Sequence, residues 1–223
     1  LRPEHPRVAF GRVGVLLVNL GTPDAPTAAA TRRYLAEFLA DPRVVEIPPA
    51  VWKPILHGVI LRTRPAKSAA KYQQIWTPEG SPLAVWTRRQ AELLQEWMDA
   101  SGPTGVTVRH AMRYGNPSTK SKVRALVEAG CTRILFFPLY PHYAGATSAT
   151  ANDQFFRALM DETWQPIARV VEPYFEHPLY IEALAQSVEK AYAETDKKPE
   201  ILVVSYHGMP QRYLKQGDPY HCQ

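Results

Sequence analysis

Val13-Gly14-Val15-Leu16-Leu17-Val18-Asn19-Leu20, closed by Gly21-Thr22-Pro23, is the stretch on which the reading of this chain turns. It is almost continuously apolar and rich in β-branched residues. A strand with one wet face alternates apolar and polar residues, whereas a strand covered on both faces does not. The run therefore predicts a strand in the middle of a parallel sheet, with helices packed above and below it.

Reading outward, a helix is expected from about Thr27, with Tyr34, Leu35, Phe38 and Leu39 facing inward. Residues 81–100 read as a second helix. Ser81 is placed to cap it and Pro82 fits its first turn, where a missing N–H costs nothing. Leu83, Trp86, Leu94, Trp97 and Met98 recur at helical spacing. A strand at about 106–112 precedes a helix that starts at Asn116-Pro117, turns Val123, Leu126 and Val127 inward and ends at Gly130. Further strands are expected at 133–139, 167–171 and 201–206, and further helices at 148–162 and 178–194. In the last helix Ile181, Leu184, Val188 and Tyr192 face inward. Strands alternating with helices define an α/β fold: three layers, an open parallel sheet and right-handed crossovers. Residues 44–80 are too long for one crossover and carry Trp52, Ile55, Leu56, Val59, Ile60, Leu61, Tyr72, Ile75 and Trp76. On the residues alone this insertion is either extra core packing or a lip around a site.

The composition is that of a soluble globular protein: 223 residues, 45% apolar and 21% charged. The 21 prolines sit at segment ends, as in Ser81-Pro82 and Met209-Pro210. The net charge is +5, but Lys and Arg are scattered, with no run beyond Arg32-Arg33, Arg88-Arg89 and Lys197-Lys198. Nucleic acid is not an expected partner, because the basic stripe it requires is missing. A small carboxylate-bearing molecule or an anionic membrane surface suits this charge better. Two cysteines, Cys131 and Cys222, make neither a disulfide framework nor a zinc spacing. Residues 1–12 lack a signal-peptide hydrophobic region, and no apolar run approaches the ~20 residues of a spanning helix. The expected location is the cytoplasm, with at most peripheral attachment to a membrane.

Ligands of open α/β sheets bind beyond the carboxyl ends of the strands. The residues there are Asn19-Leu20-Gly21-Thr22, Arg113-Tyr114-Gly115-Asn116, Pro141-His142-Tyr143 and Ser205-Tyr206-His207-Gly208. This aromatic, histidine-bearing rim suits a large flat ligand. Neither G-x-G-x-x-G nor G-x-x-x-x-G-K-[ST] is present, which argues against a nucleotide- or flavin-binding domain. His207 is expected at the end of a central strand, facing a cleft shared with the Gly21-Thr22 loop and Tyr143. Its neutral imidazole could bind metal or act as a base; the other reading is a packed histidine bonded to backbone. His142 has a similar place with a stronger packing alternative. His5, His57, His110, His177 and His221 read as surface or packing residues.

Several segments resemble the ferrochelatases in family order: Val15-Leu16-Leu17-Val18-Asn19-Leu20-Gly21-Thr22-Pro23, Gly80-Ser81-Pro82-Leu83 with Trp86-Thr87, Ala111-Met112-Arg113-Tyr114-Gly115, Pro138-Leu139-Tyr140-Pro141-His142-Tyr143, and Ser205-Tyr206-His207-Gly208-Met209-Pro210 with Gly217-Asp218-Pro219-Tyr220. The His207 segment is most similar to Gram-negative bacterial members. The resemblance implies a chelatase-like pair of similar α/β domains around a porphyrin cleft. The first would span 1–160, with 44–80 as the active-site lip, and the second would begin at 161–223 and be incomplete. It implies a lyase of haem biosynthesis that inserts ferrous iron into protoporphyrin or coproporphyrin, with iron as substrate and no resident cofactor. His207 would bind iron or take pyrrole protons, its acidic partner lying beyond residue 223. Tyr72 and Ser81 would face the porphyrin, with Leu20 and Tyr143 also on the substrate side. Asn116 stands where some relatives carry a histidine. An iron–sulfur cluster needs four cysteines, and two cannot supply it. Alternatives are a cobalt chelatase of a sirohydrochlorin-type ring, for which a denser cationic rim is expected, and a non-catalytic tetrapyrrole-binding protein.

Overall fold

The computed structural model describes residues 11–196 and 199–223. His5 and the Lys197-Lys198 pair lie outside the described residues, as do residues 1–10 of the stretch that lacks a signal-peptide hydrophobic region.

Strand β1 (Arg12–Gly21) is central, as its pattern requires, in a four-stranded sheet of order β2-β1-β3-β4. Its parallel neighbours are β2 (Val106–Tyr114) and β3 (Cys131–Pro138), and β4 (Ile167–Val170) runs parallel on the outer edge of β3. Alternate residues of β1 enter two different cores. Leu16 and Val18 join Ile134, Phe136, Leu126 and Phe155 on the side covered by α5 (Thr119–Glu128) and α6 (Thr150–Met160). Val15 and Leu17 join Val108, Leu135 and Phe137 under α4 (Pro82–Ser101). Gly14 permits the close seating of α5, since a Cβ there would stand 3.0 Å from the Leu126 methyl carbons.

The third cluster joins α1 (Ala28–Ala40) to the insertion. Thr27 caps α1 by accepting from the Ala30 N–H, and Tyr34, Leu35 and Leu39 are buried against Leu56 and Leu61. The insertion folds as α2 (Pro49–Ile55), a π-helical turn (Leu56–Ile60) and α3 (Leu61–Ile75). It is neither wholly core nor wholly lip. Leu56 and Leu61 are buried, Trp52 donates to the Leu39 carbonyl at 2.6 Å, and Val51, Ile55 and Val59 are exposed. Among the described residues no helix is long and apolar enough to cross a membrane.

Several expectations need correction. Residues 201–206 are not a strand, so the sheet has four strands rather than five; Ile201, Leu202, Val203 and Val204 are between 56% and 82% exposed. A β-prone run becomes a strand only where a neighbour supplies the ladder, and none of the described residues pairs with it. Strand β4, assigned from sequence to a second unit, hydrogen-bonds to β3 in the first sheet. Helix α4 turns Thr87 and Ala91 to the sheet and leaves Trp86 and Trp97 exposed, because small residues allow the closer approach. Helix α5 begins at Thr119, with Ser118 as its cap, and the Asn116-Pro117 bond is cis. In α7 (Pro178–Ala193) no residue is buried, and the expected inward Ile181 and Leu184 are exposed.

Candidate functional site

Two groups of side chains form beyond the carboxyl ends of the strands. The first gathers where β1 and β2 end. Gly21 turns the chain there with φ of +111°, and a Cβ on it would lie 1.9 Å from the Tyr114 carbonyl oxygen. The close approach brings Thr22 beside α4, where its hydroxyl donates to Ser81 Oγ at 2.9 Å in a buried contact. Ser81 thus sits at the cap position of α4 but makes no side-chain cap, because Thr22 engages its oxygen. Leu20 packs half-buried against the Tyr34 cluster, and Tyr72 meets Tyr34 edge-on at 6.5 Å. Burial raises the pKa of both phenols, so they stay protonated near neutrality.

Beneath them lies a buried polar knot that the sequence did not announce. Asp41, just past α1, accepts from the Arg113 guanidinium, the Thr150 hydroxyl and, at 2.9 Å, the Tyr114 hydroxyl. The Arg113 guanidinium also stacks 4.2 Å from the Tyr114 ring centre. Burial by itself would raise the Asp41 pKa. The Thr150 hydroxyl, the Arg43 backbone N–H, the Tyr114 hydroxyl and the Arg113 charge outweigh it and hold the carboxyl below its ordinary value of 3.8. The knot ties the ends of α1 and β2 to the start of α6. The only advance signal was Arg113 at the end of a strand.

His207 belongs to the second group. It follows no strand; it lines a cavity of about 720 Å³ with Met209, Leu214, Tyr220 and His221. It is exposed, and among the described residues no hydrogen bond or ion pair reaches it. His221, read from sequence as surface or packing, shares this cavity. Tyr143 is close by, in a recess of about 250 Å³ with Asp218 and Tyr213, two residues that also line the His207 cavity. The Gly21-Thr22 loop is apart from it: Thr22 lines a separate recess of about 270 Å³ with Tyr34, Glu37 and Asn116. Tyr143 thus stands beside His207, whereas Leu20, Tyr72 and Ser81 gather around β1 and β2.

Helix α8 (Gln211–Lys215) anchors the second group to the body. Tyr213 is buried and donates to the Arg43 carbonyl at 2.9 Å, and Arg212 pairs with Glu46 at 2.5 Å. The carboxylate of Asp218 accepts from the Gly145 N–H at 2.6 Å. Among the described residues no three His, Cys, Asp or Glu side chains cluster so as to hold a metal ion.

A parallel sheet covered by helices on both faces, with aromatic residues gathered beyond its strand ends, places the chain in the α/β class. The ferrochelatase family profile matches residues 12–223. The chain is 55% identical over 223 residues to a ferrochelatase of Rhodobacter capsulatus, covering 99% of this chain and 64% of that protein. It is 51% identical to one of Rhizobium meliloti, over 99% and 65%, and 54% identical to one of Methylibium petroleiphilum, over 99% and 60%. The chain belongs to the ferrochelatase family. It spans less than two thirds of the length of these relatives.

Proposed function

We propose that this chain is part of a lyase that inserts ferrous iron into a porphyrin in haem biosynthesis. The observation that carries the reading is His207: a family match over residues 12–223 includes its motif, and its ring stands unengaged in a cavity of about 720 Å³. A free-base porphyrin carries two pyrrole N–H groups, and uptake of Fe²⁺ releases both protons. Neutral imidazole can accept one of them near neutral pH, and its lone pair can alternatively meet the incoming metal. Iron is a substrate in this scheme, so a site that holds it loosely is chemically sufficient. The match is to ferrochelatases, and nothing observed favours the sirohydrochlorin cobalt chelatase or the non-catalytic carrier.

On this reading Leu20, Tyr72 and Ser81 support the porphyrin side of the first group and Tyr143 the His207 side. Residues 161–223, apart from β4 in the first sheet, begin a second α/β unit. The insertion serves as the lip. Between Glu46 and Glu79 it has no acidic residue, while Lys53, Arg62, Arg64, Lys67 and Lys71 are all exposed beside the apolar row Val51, Ile55 and Val59. Apolar residues flanked by unopposed cations suit porphyrin carboxylates and the anionic surface of a membrane, which supports peripheral contact there. The test is His207→Ala in a protein extended to the relatives' full length. Iron insertion should fall by well over tenfold while porphyrin binding persists, because apolar contacts hold a macrocycle. Insertion within about tenfold of wild type, roughly 1.4 kcal/mol of barrier, would exclude His207 as the essential base or ligand.

A further inference from the structure

Tyr206, in the segment carrying His207, touches the loop that follows β3. Residues 199–209 have no regular structure and, among the described residues, make no hydrogen bond to the rest of the chain. Tyr206, the neighbour of His207, instead sets its ring edge-on to the imidazole of His142, 5.9 Å between centres at 89°. The same imidazole stacks on Phe175 at 5.3 Å and 16°, and meets Tyr220 at 5.8 Å and 74°. Three aromatic rings from three separate stretches of chain converge on His142. Its backbone is fixed on both sides: Pro141 accepts from the Tyr174 N–H at 2.9 Å, and the Tyr143 N–H donates to the Gln223 side chain at 2.8 Å. A ring so held is a rigid platform, and aromatic pairs at these separations favour stacked or edge-to-face geometry.

We propose that His142 is a positioning residue for His207. By gripping Tyr206 it fixes the direction from which the next residue enters the cavity, acting through its ring faces rather than as a ligand or base. The inference rests on the reading of His207 as the reacting histidine. Positioning groups act on the reacting geometry, so their loss shows in kcat more than in KM.

The test uses the full-length enzyme with ferrous iron and porphyrin. His142→Ala should lower kcat about tenfold or more with the porphyrin KM held within about twofold, and His142→Phe, which keeps the platform, should recover kcat to within about threefold of wild type. Should the alanine variant not fold, the pair His142→Phe and His142→Gln decides, since glutamine keeps hydrogen-bonding capacity without a ring. Phenylalanine active and glutamine slow supports the proposal. Alanine within about twofold of wild type, or phenylalanine as slow as alanine or glutamine, overturns it. His207→Ala in the same assay separates the two claims. If it is inactive while His142→Ala is normal, only the positioning role falls; if it turns over normally, the reading beneath falls as well.

Discussion

Asp41 and Arg113 form the most deeply buried ion pair among the described residues, with side chains 5% and 7% exposed. Removing one member of such a pair leaves the other charge desolvated without compensation, which costs about 3–5 kcal/mol. Asp41→Asn should therefore be strongly destabilising at neutral pH. The pH dependence has a definite sign. The folded carboxyl titrates below 3.8, so its contribution is fully present above that value and is lost as pH falls through the folded pKa. Denaturant melts of wild type and Asp41→Asn should differ most at pH 7 and converge below pH 3.8; a gap that stays constant with pH would show that the charge is not what the knot stabilises. None of this could be read in advance. Asp41 looks like any acidic residue after a helix, and its partners Arg113 and Thr150 are 72 and 109 residues away. Ser81 illustrates the same limit. Its place before Pro82 was legible, but the Thr22 hydroxyl that engages it was not.

At the scale of elements, α4 carries two apolar rows. Thr87, Ala91, Leu94 and Met98 pack on the sheet, while Trp86, Leu93 and Trp97 face outward. Ranking positions by hydrophobic size selects the tryptophans for the core, yet packing a helix closely on a sheet favours small residues at the contact. Substitution distinguishes the rows. In the 223-residue chain, Ala91→Leu should overpack the interface and cost about 1–3 kcal/mol, whereas Trp97→Ala should change stability by no more than about 0.5 kcal/mol. Thermal melts that gave the reverse order would mean that the outward row is the buried one. Helix α5 was easier to read, because Val123 and Leu126 are both the apolar positions and the contact positions.

At the scale of the molecule, the sheet of four strands is well covered near β1, but α7 and residues 201–206 leave large apolar side chains in solvent. Leu179 is 74% and Val203 82% exposed. The relatives are longer by more than a third of their own length than the part this chain matches. Additional chain of that size could cover both surfaces. The 223-residue chain should accordingly bind a hydrophobic dye such as ANS, self-associate with rising concentration and insert no iron. A version extended to the relatives' length should do the opposite on all three counts. Dye binding equal in the two versions, or turnover in the shorter one, would show that the catalytic set and its enclosure are complete within these residues.

The sequence by itself determined the centre of this protein and its family. A strand with no polar alternation can only lie between two covered faces, and β1 does, with Leu16 and Val18 fully buried on one side and Val15 and Leu17 almost so on the other. The motifs at the strand ends carried the family, since their order along the chain needs no coordinates. Tertiary structure alone decided which row of α4 meets the sheet, whether 201–206 has a neighbour to pair with, how Asp41, Arg113 and Thr150 meet, and that Tyr206 leans on His142. The physical reason is the same in each case. Local pattern reports the period and polarity of a segment, whereas its burial, pairing and charge compensation depend on partners far along the chain, and only the folded chain selects those partners.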